Sequence, residues 1–332
     1  MSNYKDIIGT HIKTVTTDPP NPENGQMWYN STTRVVKGFT ANPAGSWSTG
    51  GALGTARDQA RGTGTLTAGL VFGGATPPVQ TKNETYNGTA FSETNDLNQA
   101  KSGVGGAGTQ TSALCFGGNP IPIANTESWN GTSWTEVNNL NSFRGATLGG
   151  CGADNTSAIA FGGYDNVGSP IAKTFTELWN GTCWSETADM NTARYALGSA
   201  GIKTAAVGFG GRNPGGPFGV TGLTEEWNGT SWSEKSDLNT NRAYSGGSGT
   251  YRLALAAAGA SSPSANTVNT ETWNGTSWSE VANVSTSRSR VASFGTQGAS
   301  VAAGGFTQPN TIQSSTEEFI SPLTSTVTFT AS

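Results

Sequence analysis

The chain is poor in the side chains that carry most enzymatic chemistry. It holds one histidine, His11, and three cysteines, Cys115, Cys151 and Cys183. With a single histidine, neither a histidine-based triad nor a multi-histidine metal site is expected, and no pair of cysteines has Cys-x-x-Cys spacing. Charge is also scarce. Only 12% of residues are charged, and 22 acids against 18 bases leave a net charge of −4. The few scattered bases argue against a phosphate backbone as partner, so no nucleic acid is expected. No apolar run approaches the roughly 18 residues of a membrane-spanning helix. Met1 to Thr10 lacks the apolar stretch of a secretory signal, so synthesis in the cytoplasm without a signal peptide is expected.

Glycine is what the chain has in excess. It has 47 glycines and 14 prolines beside a 34% hydrophobic share. Such a chain can bury a core only with small side chains and many turns, which favours an all-β fold over helical bundles.

Three signals recur in fixed order. The first is a base near a Leu/Met-Asn element: Arg57, Lys101, Arg144, Arg194, Arg242 and Arg288. The second is a short apolar run closed by glycines, as in Leu70-Val71-Phe72-Gly73-Gly74 or Leu114-Cys115-Phe116-Gly117-Gly118. The third is Glu-x-aromatic-Asn-Gly-Thr-x-aromatic-x-Glu, beginning at Glu127, Glu177, Glu225 and Glu271, with a copy from Glu84 that carries Tyr86 and Phe91. The five steps from Arg57 to Arg288 average about 46 residues. That period, with glycine and aromatic signals in every unit, suits four-stranded propeller blades. The residues after each base form strand a, the run before the glycines strand b, and the two aromatic segments strands c and d around an Asn-Gly turn. Trp129 and Trp134 then become a cross-strand pair, contributing about 0.2–1 kcal/mol per blade.

The order Arg…Gly-Gly…Glu-x-Trp…Trp resembles the Kelch repeat of β-propellers over residues 38–320. The expected fold is a six-bladed Kelch-like β-propeller of four-stranded antiparallel blades, with a short N-terminal arm and hairpin at 1–33 and the propeller at 34–332. Six a–b pairs need six c–d pairs, and the last is incomplete. Thr316-Glu317-Glu318-Phe319-Ile320 supplies its strand c. Its strand d comes either from the segment around Trp47, the preferred supplier, or from Leu323 to Phe329, which alternates cleanly.

Residues 1–33 lack the repeat. Thr17 to Pro22 reads as a turn-rich linker and Gly25 to Val36 as a small hairpin, which could simply cover one face of the propeller. The stretch from Asn21 through Gly25-Gln26-Met27-Trp28-Tyr29-Asn30-Ser31-Thr32-Thr33, joined to Trp-Asn-Gly-Thr-x-Trp repeats, looks like fibre-like virion proteins of tailed phages, particularly marine ones. That resemblance implies a non-enzymatic tail or capsid fibre, or a capsid-decorating subunit. Residues 1–33 would attach to other virion proteins, several copies would sit on the particle, and the propeller would meet a host-surface glycan. A free carbohydrate-binding module is the alternative.

Two repeated features invite chemical readings. Asn-Gly-Thr at Asn87, Asn130, Asn180, Asn228 and Asn274 matches the N-glycosylation pattern but is better explained by a turn that recurs where a hairpin must turn. Each repeated glutamate is expected to pair with a base or cap backbone donors in its own or the next blade, and the bases to form inter-blade ion pairs with those glutamates, their rival role being a basic collar for an acidic glycan. A Kelch-like oxidase centre would need histidines that the propeller lacks, and no Ser-x-Asp-x-Gly-x-Thr-Trp box of the sialidase type occurs, so neither catalytic residues nor a cofactor are expected. The b–c connections differ while the scaffold repeats, which makes them the expected recognition surface. Tyr164, Phe175 and Phe218 could stack on a sugar, with Asp165, Lys173, Arg212 and Asn213 supplying polar contacts. The same loops could instead pack against the arm or a neighbouring subunit.

Overall fold

A computed structural model of the chain describes residues 12–19, 26–41, 44–120, 123–145, 148–165, 171–213, 219–321 and 324–329. The regular structure in them is all β. The chain divides into two compact units, 46–320 and 1–45 with 321–332.

The larger unit is a closed ring of six four-stranded antiparallel blades. Blade 2 shows the pattern: strand a is Gly105–Gly108, b is Ala113–Phe116, c is Thr126–Trp129 and d is Trp134–Val137. The small residues of strand a make room for the aromatic of strand b. Gly149 of blade 3 lies opposite Phe161, and a Cβ there would stand 2.3 Å from the Phe161 ring. That ring packs against Trp232 of blade 4 at 4.7 Å, and Phe116 meets Trp184 in the same way at 4.9 Å. Strand-b aromatics are thus the wedges between blades. Blades 5 and 6 have Ala257 and Ala303 at this position. In blade 6 Phe294 on strand a fills the space instead, 6.2 Å from Tyr86.

The sixth blade takes its outer strand from Ser46–Gly50, which pairs antiparallel with Thr316–Ile320 and sets Trp47 opposite Phe319 at 5.3 Å. Thr324–Phe329 pairs with Val35–Ala41 instead, in the smaller unit. Its alternation suits the free edge of that strand, so the expected propeller boundary of 34–332 narrows to 46–320. In the smaller unit Met27–Asn30 and Val35–Ala41 form a hairpin, with Lys13–Val15 added in parallel. Asp18 ties it together, accepting from Trp28 Nε1 at 3.0 Å and Asn30 Nδ2 at 2.7 Å, and pairing with Lys37 at 2.6 Å.

The c–d turn differs from a two-residue Asn-Gly turn. Four residues separate Trp129 from Trp134, and Asn130 Oδ1 accepts the backbone N–H groups of Thr132 and Ser133, both at 2.9 Å. The side chain closes the turn, which explains asparagine at this position in five blades. Cys183 donates its backbone N–H to Asn180 in the same way. Cys115 and Cys151 are buried, and burial pushes both thiols up to about 12, far from reactive thiolates.

Candidate functional site

The repeated bases are wholly structural. Each lies in the connection entering a blade and pairs with the glutamate on strand c of that same blade, at 2.6 Å for Arg144–Glu177 and 2.8 Å for Arg194–Glu225. The other carboxylate oxygen accepts the backbone N–H three residues before the base, as Asn141 does to Glu177 at 2.8 Å. One acid therefore clamps both ends of the connection. Burial pushes the arginines down, opposed by their glutamates, and Arg242 falls to about 10. The expected inter-blade ion pairing is corrected: the pairs are internal to each blade, because the guanidinium turns inward. The joint is crossed by the backbone, where the second glycine of one blade donates to the base carbonyl of the next. Gly74 donates to Lys101, Gly118 to Arg144 and, closing the ring, Gly305 to Arg57 at 3.0 Å. Arg144, Arg194, Arg242 and Arg288 are fully buried, so they make no basic collar.

Aromatic and arginine side chains concentrate where the irregular loops begin. The residue after each base bridges the residue after each glycine pair: Gly145 to Tyr164, Tyr195 to Arg212, Ser289 to Phe306. The next residue stands at the axis in a left-handed conformation, namely Gln59 (φ 54°), Ala196 (57°), Tyr244 (56°) and Arg290 (60°), with Gly103 in blade 2. Their backbones bond in sequence, Arg290 to Tyr244 and Tyr244 to Ala196, both at 2.8 Å. Glycine would adopt this backbone without strain. Tyr244 and Arg290 hold it at a cost of about 1–2 kcal/mol each, as Gln59 and Ala196 do at the same position.

These offsets gather one half-ring of aromatics and arginines at the mouth of the axis. The Tyr164 and Tyr195 rings meet in a tilted contact, centroids 5.1 Å apart. Tyr244 lies between two guanidinium groups, Arg290 at 5.3 Å and Arg212 at 5.9 Å, and Arg290 also covers Phe306 at 5.1 Å. All six side chains are half-buried. Arg290 pairs with Asp58 at 2.9 Å, whereas Arg212 has no ion-pair partner among the described residues. Burial is the largest cause raising the Tyr244 phenol; Tyr195 adds to it, while Arg212 and Arg290 oppose it. Blades 1 and 2 put Ala75 and Asn119 at the positions of Tyr164 and Arg212.

Of the sequence-predicted residues, Tyr164 and Arg212 join this cluster. Asp165 and Lys173 instead pair across the hairpin of Tyr164–Asp165 with Ile171–Ala172, at 3.4 Å, and Lys173 lies 5.6 Å over the exposed Phe175. Asn213 donates its backbone N–H to Gly219. Phe218 lies outside the described residues. Tyr195, Tyr244, Arg290 and Phe306 escaped the sequence reading, which followed loop length. Their signal was a fixed offset from the base or the glycine pair.

Among the described residues no cluster of three metal-ligating side chains occurs, and no helix is long and apolar enough to cross a membrane. The chain matches no protein-family model and no curated protein.

Proposed function

We propose that this is a non-enzymatic recognition protein whose propeller binds an acidic glycan at the axial mouth. The observation that carries the reading is the half-ring of Tyr164, Tyr195, Tyr244 and Phe306 around Arg212 and Arg290. Aromatic faces accept the apolar faces of sugar rings, and guanidinium groups bond carboxylate or sulfate in bidentate fashion. The repeated glutamates that face the bases, Glu177, Glu225 and Glu271 among them, are consumed by the scaffold and offer no carboxylate to a substrate.

The biological setting we infer is the surface of a phage particle, as a tail or capsid fibre or a decorating subunit, with residues 1–33 attached to other virion proteins. The resemblance of that segment and of the Trp-Asn-Gly-Thr repeats supports this reading, as does a fold that separates a uniform scaffold from one irregular face. Glycan-array binding by the full chain should favour uronic or sulfated sugars and fall at least about tenfold in Tyr244→Ala and Arg212→Ala. No acidic-glycan binding would defeat the ligand reading. Immunogold labelling should decorate particles, whereas labelling of host cytoplasm alone would defeat the virion reading. Glycan binding without particle labelling would favour the free module.

A further inference from the structure

The inner strands of all six blades surround an axial channel of about 110 Å³, several times the space one water needs. Among the described residues its single charged lining residue is Arg61. Arg61 opens strand a of blade 1 (Arg61–Thr65) opposite Phe72. The matching position in the other blades holds Gly105, Gly149, Gly198, Gly246 or Ala292. The sixfold pattern is thus broken at one point, and by a cation. The Arg61 stem passes so close to Gly106 that a Cβ there would lie 2.6 Å from its Cγ. Its Nη2 then reaches blades 3 and 4, donating to the Gly150 carbonyl and to Ser199 Oγ, the latter at 2.9 Å.

What Arg61 lacks is a counter-charge. The six scaffold bases each hold a glutamate, while Arg61 has no ion-pair partner among the described residues and its buried Nε has no hydrogen-bond acceptor. An arginine stays protonated at neutral pH, and an uncompensated charge away from bulk water is costly. Each strand a bonds only to strand b within its blade, so the free strand edges also turn backbone groups toward the channel. We propose that the channel binds one small oxyanion, of the phosphate or sulfate class, on Arg61. This site does not depend on the glycan reading.

Inorganic phosphate is the probe, with the full chain studied by calorimetric titration and thermal melting. One phosphate per chain is expected. The melting temperature should rise with phosphate beyond its rise in sodium chloride of equal ionic strength. Arg61→Met should weaken binding at least about tenfold and remove the excess rise, because it keeps the stem and deletes the charge. Should that variant not fold, Ser199→Ala keeps Arg61 and removes one of its two partners, and phosphate affinity should shift several-fold. Sulfate and acetate arms separate tetrahedral from planar anions. Phe175→Ala, at an exposed residue that lines neither of the cavities Arg61 lines, should leave phosphate binding unchanged. Absence of saturable binding to the wild type, or equal phosphate response in wild type and the variant examined, would overturn the proposal.

Discussion

Arginine serves two regions of this protein in opposite ways. At the blade entrances Arg144, Arg194, Arg242 and Arg288 recur at one position, are fully buried and are held by glutamates. At the axis Arg61, Arg212 and Arg290 each occur in one blade only, and two of the three have no carboxylate partner among the described residues. The first set joins connection to blade, a task identical in all units. The second breaks the repetition, and a single ligand on the axis of a sixfold ring needs such a break. Residue type therefore says little here, and recurrence separates scaffold from candidate site.

The comparison breaks most sharply at the clamps. Glu177→Ala leaves Arg144 charged in the interior and should destabilise the protein by about 3–5 kcal/mol in denaturant unfolding. Replacing both partners, Arg144→Met with Glu177→Leu, should cost much less than the single change. A double change as costly as the single one would mean that the clamp's geometry, rather than its charge balance, sets the blade.

Next come the joints. Thr176 and Thr224 accept the indole N–H groups of Trp232 and Trp278 from the following blade, both at 3.0 Å. In blade 6 the matching Thr316 Oγ1 has no partner, since the next blade carries Phe91 in place of tryptophan. Thr224→Val should cost about 1–3 kcal/mol by stranding a buried donor, while Thr316→Val should be close to neutral. Equal costs would show that packing alone matters at this position.

A smaller effect is expected at the mouth. Tyr244→Gly relieves a left-handed backbone while deleting a half-buried ring, so its stability should change by less than about 1 kcal/mol while glycan binding is lost. A large loss of stability would reassign Tyr244 to the scaffold.

The mildest test concerns the smaller unit. Hydrogen bonding to Lys37, then to Asn30 and Trp28, lowers the Asp18 carboxyl to about 2. A depressed acid stabilises the folded form above its unfolded value near 3.8, and that contribution fades as pH falls through about 2. The Trp28 indole N–H resonance should hold steady from neutral pH to about 4 and shift below it. Asp18→Asn should abolish that acid step.

Much of the scaffold was legible in the sequence because its causes are local or periodic. The glycine pair, the turn asparagine and the aromatics bracketing it each answer a constraint felt within one unit, and repetition multiplied the signal. The partners of the bases were legible in kind but not in place. Spacing shows that each unit has one base and one acid, while the direction of the guanidinium depends on how the connection folds back. The supplier of the sixth outer strand was open for a related reason. Two segments could form strands, and they were divided by pairing, with Trp47 meeting Phe319 and Phe329 meeting Val36.

The axial cluster belongs to tertiary structure alone. Tyr164, Tyr195, Tyr244, Arg290 and Phe306 are spread over more than 140 residues and meet only because six blades close at a common radius. That radius is set by the packing between blades, with Phe–Trp wedges at four of the six joints, a sum over many side chains that no short stretch of chain encodes. Local chemistry was sufficient for the blade. Bringing distant residues to one axis required the packing of all six.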